Sequence, residues 1–317
     1  MNKTLLGIEI GGTKLQIVAA QEPTRILRRW RATADRAGGG PAIQRQIEAG
    51  LREILSGEKP AAIGVGFGGP VDVAAGRIRC SHQIEGWEGF PLRAWIRQIS
   101  GVPVVVENDS NTATFAEATH GAGRGFDPVF YCNFGSGVGG GLTVGGDIYH
   151  GAPPGEAEFG HLRLDRSGAT VESRCSGWAV DRRLRQVIAA HPTSALAGLA
   201  GKTEGDEASH LAAAVATGDA SAVAVLSDVA GDIAFALSHA VHLFHPAVIV
   251  IGGGLSLVGE PLRAAIEAAL PANVMEAFHP PPAVRLAALG EDSVPVGALE
   301  LAARIGLEKR PRRGHGM

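Results

Sequence analysis

A short polar run, Glu107-Asn108-Asp109, directly follows the apolar segment 102–106. An apolar run of this length, bounded by polar residues, is typical of a buried strand. A carboxylate at the end of such a strand can accept the proton of a hydroxyl group that attacks a phosphorus atom. Asn and Asp are also common helix caps, so this pair could instead begin a helix near Ser110. The residues alone leave both interpretations open.

Two glycine-rich turns could bind phosphate. Gly11-Gly12-Thr13-Lys14 separates strands predicted at 5–10 and 15–20, and Gly135-Ser136-Gly137 follows a strand predicted at 129–134. Backbone N–H groups in such turns can surround phosphate oxygens, and Lys14 can add a positive charge. Gly-Gly hairpins are also common as purely structural turns. The presence of two of them favours a nucleotide ligand.

A third cluster, Gly252-Gly253-Gly254, ends a strand predicted at 247–251. A surface without side chains can accept the flat face of a nucleoside. Taken alone, each glycine cluster is as consistent with a structural turn as with a binding site. The three together indicate a nucleotide.

The hydrophobic pattern predicts alternating strands and helices. Further strands are predicted at 26–32, 61–67, 102–106 and 142–144. Helices are predicted near 43–55, 208–224, 225–244 and 261–269. Asp219 is a candidate N-cap of a helix in this region. The plan of strand, glycine turn and strand recurs from residue 129, which predicts an α/β fold of two similar halves. Because ligands bind beyond the carboxyl ends of strands in open α/β sheets, we expect the turns to converge on one cleft.

Composition argues against several classes of protein. The chain has 317 residues, enough for two modest domains, and a net charge of -3 gives no strong attraction to nucleic acid or to an anionic membrane. The three cysteines, Cys80, Cys132 and Cys175, are far apart and have no metal-ligand spacing. The apolar N-terminal segment is too short for a signal sequence and no transmembrane run is recognised, so we expect a cytoplasmic protein.

The motifs and their order resemble the ROK family (repressor, open reading frame, kinase) of the actin-like ATPase superfamily. The segments that carry the resemblance are 9–14, 68–72, 86–87, 107–111, 135–141, 158–161 and 246–256. They span nearly the whole chain. The resemblance implies an α/β, two-domain actin-like ATPase (ribonuclease H-like) fold with a central cleft. It implies a smaller N-terminal domain of residues 1–115 with a C-terminal helix at about 294–307, a larger domain of 116–293 and a flexible tail of 308–317.

The resemblance also implies roles for individual residues. Asp109 would be the catalytic base, and Glu9, where many relatives have Asp, would help to hold Mg²⁺ through water. The sugar would contact Gly69, Asn108, Glu158, His161 and Glu172. ATP would contact Gly11, Gly12, Thr13, Lys14, Gly135, Ser136, Gly137, Gly253 and Gly254. Relatives also place His82 and Gln83 near the sugar, whereas Trp87 is interpreted as a packing residue.

The implied activity is that of an ATP-dependent hexose kinase. Glucose is favoured because Glu158, His161 and Glu172 match the glucokinase-type pocket, but fructose, mannose, allose and N-acetylhexosamines stay open. Polyphosphate in place of ATP also stays open. The expected partners are the hexose and the nucleotide, with no nucleic acid or membrane, and relatives suggest a homodimer.

One segment departs from the family pattern. Most members carry three cysteines after the histidine equivalent to His161, and these four residues bind a structural zinc ion. Residues 162–172 contain no cysteine, and Cys175 lies beyond them. We therefore expect no zinc, although the family's glutamate after this loop is retained as Glu172.

Three other classes of protein fit the sequence less well. A DNA-binding repressor would need a helix-turn-helix before the first glycine turn, and only ten residues precede Gly11. A catalytically silent sugar-binding protein is disfavoured by Asp109, Lys14 and both glycine turns, although the altered zinc loop keeps it open. A dinucleotide oxidoreductase is disfavoured because no G-x-G-x-x-G sequence opens a helix near the N-terminus.

Overall fold

A computed structural model of the protein describes residues 4–55, 57, 59–81, 84–153, 157–200, 205 and 207–307. Internal contacts divide the described residues into two compact units. The first unit draws on Met1–Ala116, Tyr149–Glu156 and Glu291–Met317, and the second on Glu117–Ile148 and Ala157–Gly290. His82, Gln83 and the expected tail at 308–317 lie outside the described residues.

Each strand and helix predicted from the hydrophobic pattern has a counterpart in the structure, and further elements lie between them. The first are β1 (Leu5–Ile10), β2 (Lys14–Glu22), β3 (Arg25–Thr33), α1 (Gly39–Leu55), β4 (Ile63–Phe67), β5 (Val71–Asp72), β6 (Arg77–Ile78), α2 (Leu92–Ser100), β7 (Val104–Asn108) and α3 (Asp109–His120). The next are β8 (Val129–Phe134), β9 (Val138–Val144), β10 (Asp147–Ile148), α4 (Val171–Cys175), α5 (Gly177–Ala190), α6 (Ala195–Ala200), α7 (Leu211–Ala216), α8 (Ala220–Phe244), β11 (Val248–Gly252), α9 (Glu260–Ala269), β12 (Ala283–Leu286) and α10 (Ser293–Leu307).

The sheet of the first unit has the strand order β3-β2-β1-β4-β7. Strand β4 runs parallel to both β1 and β7, and the register places Phe67 beside Ile10 on one side and beside Asn108 on the other. The three parallel strands therefore end together. The residues that follow them, Gly11, Gly68 and Asp109, lie at one edge of the sheet, where ligands bind in folds of this class.

Helix α10 covers one face of this sheet, where two glycines let the backbones approach. A β-carbon at Gly64 would lie 1.9 Å from the carbonyl oxygen of Ala298, and one at Gly7 would lie 2.9 Å from that of Pro295. Helix α1 packs on β2 and β3. The buried residue Trp87 contacts the rings of Phe67 and Phe90, which confirms its interpretation as a packing residue.

The sheet of the second unit has the order β10-β9-β8-β11-β12. When the strands are numbered within each five-stranded sheet in chain order, both sheets have the same spatial order: third, second, first, fourth and fifth. The predicted repetition of the plan is therefore confirmed. The predicted strand at 142–144 was too short, because β9 begins at Val138 and includes three glycines.

The alanine-rich stretch 208–224 is helical but interrupted. Helix α7 ends at Ala216, and Gly218 adopts a positive φ of 78°. The carboxylate of Asp219 then accepts hydrogen bonds from the N–H groups of Ser221 and Ala222, which confirms Asp219 as the N-cap of α8. Among the described residues, α8 alone is long and apolar enough to match a membrane span. Half of that apolar stretch is buried, as expected for a core helix.

Candidate active site

The first glycine turn joins β1 to β2. The N–H of Gly11 donates to the carbonyl oxygen of Lys14 at 2.9 Å and closes the turn. Within the part of the chain that the structure describes, the N–H groups of Gly12 and Thr13 make no hydrogen bond. Backbone N–H groups of a glycine turn that make no hydrogen bond within the protein are the groups that bind phosphate oxygens. The local structure therefore fits the phosphate-binding prediction for this turn.

Glu9 is held by two neighbours. Lys14 Nζ lies 3.4 Å from Glu9 Oε1, and the buried side chain of Gln16 donates to Glu9 Oε2. Gln16 Oε1 in turn accepts from Arg29 and Arg31 at 2.9 Å and 3.3 Å. Burial raises the pKa of Glu9 above its usual value, and the charge of Lys14 opposes the shift. The sequence analysis missed Gln16, although hairpin pairing sets it opposite Glu9.

Asp109 follows β7 and is half-buried. Its Oδ1 atom accepts from the backbone N–H of Ser110 at 2.7 Å. A β-carbon at Gly68 would lie 3.3 Å from Asp109 Oδ2 and 3.4 Å from Gly11 Cα, so Oδ2 lies close to both glycine turns of this sheet edge. Burial raises the pKa of Asp109 to about 7, and the negative charge of Glu9 adds to the effect. A carboxylate with a pKa near neutrality is suited to general-base catalysis.

Asn108 is the cap of helix α3. Its Oδ1 atom accepts from the N–H groups of Ser110 at 2.8 Å and Asn111 at 3.0 Å, so the capping interpretation is confirmed for this residue. Its Nδ2 atom donates to the carbonyl oxygen of Gly69 at 3.1 Å. A primary amide has two hydrogens. Among the described residues the other one has no acceptor, so capping and ligand binding are compatible.

The second unit carries the second glycine turn, between β8 and β9. The N–H of Gly135 donates to the carbonyl oxygen of Gly137 at 2.9 Å, and the carbonyl oxygen of Gly135 accepts from the N–H of Gly177 at 2.7 Å. The N–H groups of Ser136 and Gly137 make no hydrogen bond to the described residues. This turn therefore presents the same kind of donor pair as the first one.

The third glycine cluster follows β11. Gly253 has a positive φ of 82°, and a β-carbon there would lie 2.5 Å from the backbone nitrogen of Phe134. Only glycine fits this position, for structural reasons. A β-carbon at Gly254 would meet nothing within 4 Å. The open backbone at Gly254 leaves room for a flat ligand.

The Glu158–His161 segment forms a short 3-10 turn over Phe159–His161. Phe159 is buried and packs against Phe130 and Phe134. A β-carbon at Gly160 would lie 2.2 Å from the carbonyl oxygen of Val138, so glycine is required for the turn to lie against the start of β9. Glu158 and His161 are exposed on this turn, with 3.9 Å between Glu158 Oε2 and His161 Nε2.

Glu172 lies in the first turn of α4 and faces the second glycine turn. Its Oε2 atom accepts from the N–H of Val138 at 2.9 Å, and a β-carbon at Gly137 would lie 2.8 Å from the same atom. Val138 therefore contacts both Gly160 and Glu172. Within the second unit, the fold brings Glu172 and the Glu158–His161 turn together at the start of β9.

The residues near His161 do not fit a zinc ion. Cys175 is fully buried in the hydrophobic core of the second unit, where burial raises the pKa of its thiol to about 12 and disfavours the thiolate that zinc requires. Among the described residues, no group of three or more His, Cys, Asp or Glu side chains could hold a metal ion. No step below depends on zinc.

Two further residues, Glu107 and His150, have contacts near the site although no role was predicted for them. Glu107 is buried beside Asn108 and Asn111, and its Oε2 atom lies 2.7 Å from Nε2 of His150. No local pattern marks His150, which is distant in sequence. Glu107 lies near the end of the buried strand β7, two residues before Asp109, and a carboxylate at that position was the available signal.

The two repeated sheets, each with a glycine turn after its first strand, place the protein among the actin-like ATPases. A crystal structure of a ROK family glucokinase from Streptomyces griseus, in complex with glucose and AMPPNP, is similar with a TM-score of 0.84 and 32% identity. The match covers 95% of this chain and 99% of that one. The structure of a ROK hexokinase from Thermus thermophilus is 27% identical, with a TM-score of 0.77, over 96% of this chain and 99% of that one.

Sequence comparison gives the family. The model of the ROK family matches residues 5–305, and the chain belongs to this family. A glucokinase from Thermotoga maritima is 30% identical over 311 residues, which cover 95% of this chain and 98% of the relative. A glucokinase from Streptomyces coelicolor is 31% identical over 312 residues, which cover 94% of this chain and 96% of the relative.

Proposed function

We propose that this ROK sugar kinase transfers the γ-phosphate of ATP to a hydroxyl group of a hexose, with glucose as the acceptor. Its similarity to glucokinases extends over nearly the whole chain, which supports the reaction class and favours glucose. The S. griseus relative was crystallised with glucose and an ATP analogue, which supports ATP as the donor.

The observation that carries the proposal is the environment of Asp109. Its Oδ2 atom lies against Gly68 and close to Gly11, beyond the ends of parallel strands. Its pKa of about 7 gives it a substantial ionised fraction at neutral pH and enough basicity to accept a proton. In the proposed reaction Asp109 takes the proton from the sugar hydroxyl as that oxygen attacks the γ-phosphorus, and ADP leaves.

The two glycine turns would bind the phosphates of ATP. Gly11, Gly12, Thr13 and Lys14 would contribute N–H groups and a positive charge, and the second turn would contribute Gly135, Ser136 and Gly137. Gly253 and Gly254 would lie beside the nucleoside, because Gly254 is open. Glu9, a carboxylate fixed by Lys14 and Gln16, would hold Mg²⁺ through water. When bound, Mg²⁺ would neutralise charge on the triphosphate.

The sugar would be held by residues whose hydrogen-bonding groups suit hydroxyls. Asn108 has one remaining amide hydrogen, so it would donate to a sugar oxygen, next to Gly69. Exposed Glu158 and His161 offer an acceptor and a ring nitrogen. Glu172 has committed Oε2 to Val138, so we expect its Oε1 atom to contact the sugar. Binding by fixed partners of this kind gives specificity among hexoses.

A panel of sugars tests the proposal. Glucose, fructose, mannose, allose and N-acetylhexosamines would each be incubated with the protein and Mg²⁺-ATP, and ADP release would be measured, with polyphosphate as an alternative donor in a parallel series. We expect the highest kcat/KM for glucose with ATP. A higher kcat/KM for another sugar would overturn the assignment of glucose. The absence of turnover with every sugar would overturn the proposed kinase activity.

The cellular setting is part of the proposal. We infer a cytoplasmic enzyme, since ATP is its proposed donor, and a homodimer that binds hexose and nucleotide but neither nucleic acid nor membrane. Light scattering coupled to size-exclusion chromatography measures the mass directly. A single species with the mass of one 32.7 kDa chain would contradict the dimer.

A further inference from the structure

The buried carboxylate of Glu107 organises the strand end that carries Asn108 and Asp109. Only 2% of Glu107 is exposed. Its Oε1 atom accepts from the N–H of Asn108 at 2.9 Å and from Nδ2 of Asn111 at 3.1 Å. The remaining oxygen, Oε2, lies 2.7 Å from Nε2 of His150. A buried carboxylate is stable only when such donors satisfy it.

The chemistry of this contact fixes the role of the histidine. A carboxylate accepts hydrogen bonds, so we assign the donated hydrogen to Nε2 of His150. His150 lies on the segment Tyr149–Glu156, which belongs to the first unit although the residues on either side of it belong to the second. The hydrogen bond therefore joins a distant segment of the chain to the end of β7.

We propose that His150 is a positioning residue for the sugar site, acting through Glu107 on Asn108 and Asp109. This inference rests on the proposed kinase function. Four hydrogen bonds connect the residues: His150 to Glu107, Glu107 to the backbone of Asn108 and to Asn111, and Asn108 to Gly69. If the donor at residue 150 is lost, Glu107 Oε2 loses a partner and the carboxylate turns away from its present orientation. The amide of Asn108 then loses its fixed position.

This role predicts a specific kinetic signature. His150→Ala should raise the KM for the sugar and lower kcat, with a combined loss in kcat/KM of about tenfold or more, because small displacements of catalytic groups are costly. The KM for ATP should change by less than about twofold, since the chain of hydrogen bonds does not include a glycine of the two phosphate-binding turns. His150→Gln should restore most of the activity, because the Gln amide can donate to Glu107.

A double-mutant cycle isolates the contact. In a Glu107→Gln background, His150→Ala should have little further effect, because the first change already removes the ionic acceptor. His191→Ala is a matched control: His191 is an exposed histidine at the end of α5, in the second unit. It should behave as wild type. Thermal melts of every variant, followed by circular dichroism, give the folded fraction to which kcat is normalised.

The outcomes separate the two proposals. A wild-type enzyme that phosphorylates a sugar, together with a His150→Ala variant of unchanged sugar KM and kcat per folded molecule, would overturn the positioning role alone. The positioning role would also be overturned if the kcat/KM of His150→Gln did not exceed that of His150→Ala. It would be overturned as well if His150→Ala raised the KM for ATP as much as the KM for the sugar. A wild-type protein inactive on every sugar would overturn the kinase function and this inference with it.

Discussion

Asp109 and Gly68 lie so close that a β-carbon at Gly68 would be 3.3 Å from Asp109 Oδ2. The missing side chain leaves one face of that oxygen open to a ligand, while Oδ1 is occupied by Ser110. Asp109→Asn would keep the shape and the hydrogen bond at Oδ1 but remove the base. We expect kcat to fall by at least ~10²-fold, with binding of ATP and sugar near normal.

Turnover by Asp109→Asn is best measured with a coupled assay for ADP, and binding by calorimetry. Unchanged turnover would end the assignment of Asp109 as the base. The thermal stability of the variant provides the control for folding. Because burial raises the pKa of the Asp109 carboxyl to about 7, the contribution of this group to the stability of the wild type decreases as the pH rises from about 4 to 7. The neutral Asn variant should therefore be at least as stable as wild type above pH 7.

The pH dependence of catalysis follows from the same residue. A base must be ionised to accept a proton, and the pKa of Asp109 is about 7. We expect kcat/KM to fall about tenfold per pH unit below that value and to level off above it. Initial rates between pH 5 and 9 at fixed free Mg²⁺ would show the profile. A rate that stays flat from pH 8 down to pH 5 would mean that another group, or none, takes the proton.

Substitution of Gly160 tests whether sugar binding depends on the turn that carries Glu158 and His161. Alanine there would bring a β-carbon to 2.2 Å from the carbonyl oxygen of Val138, which the backbone cannot accommodate without moving. We expect Gly160→Ala to lower the melting temperature by several degrees and to raise the sugar KM about tenfold or more. Gly198→Ala in helix α6 is the matched control, because its new β-carbon would meet nothing within 4 Å. A wild-type KM for Gly160→Ala would show that the sugar does not depend on this turn.

Metal analysis tests the predicted loss of zinc. Residues 162–172 have no cysteine, and Cys175 is buried in the core. Elemental analysis of the purified enzyme should give well under one zinc per chain. A zinc-selective chelator should leave both activity with Mg²⁺-ATP and the melting temperature unchanged. Stoichiometric zinc that resists dialysis would contradict the prediction.

Much of the fold follows from local sequence signals. Strands β1 and β8 were predicted with their observed ends, and Asp219 caps α8 as expected. In these cases the pattern is local: an apolar run, a turn or a cap lies within a few residues of the boundary. The strand at 142–144 was cut short because the glycines before it disfavour strands by propensity. Cross-strand pairing with β8 overrides that preference.

The site was less predictable because its contacts are tertiary. Gln16 could have been found from hairpin register, since it pairs with Glu9 across two adjacent strands. The partner of Glu107 could not, because the hydrogen bond to His150 spans 43 positions of the chain. The conformation of Asn108 shows a further limit: the same amide both caps a helix and retains a hydrogen for a ligand. Sequence reasoning had treated these roles as competitors.

The packing of α10 on β1 and β4 has a consequence for how the protein is made. The helix approaches Gly7 and Gly64, whose strands precede it in the chain by more than 200 residues. During synthesis, β1 and β4 therefore have no cover from this helix on one face until α10 has been made as well. Apolar surface that stays uncovered in this way makes a partly synthesised chain prone to aggregation.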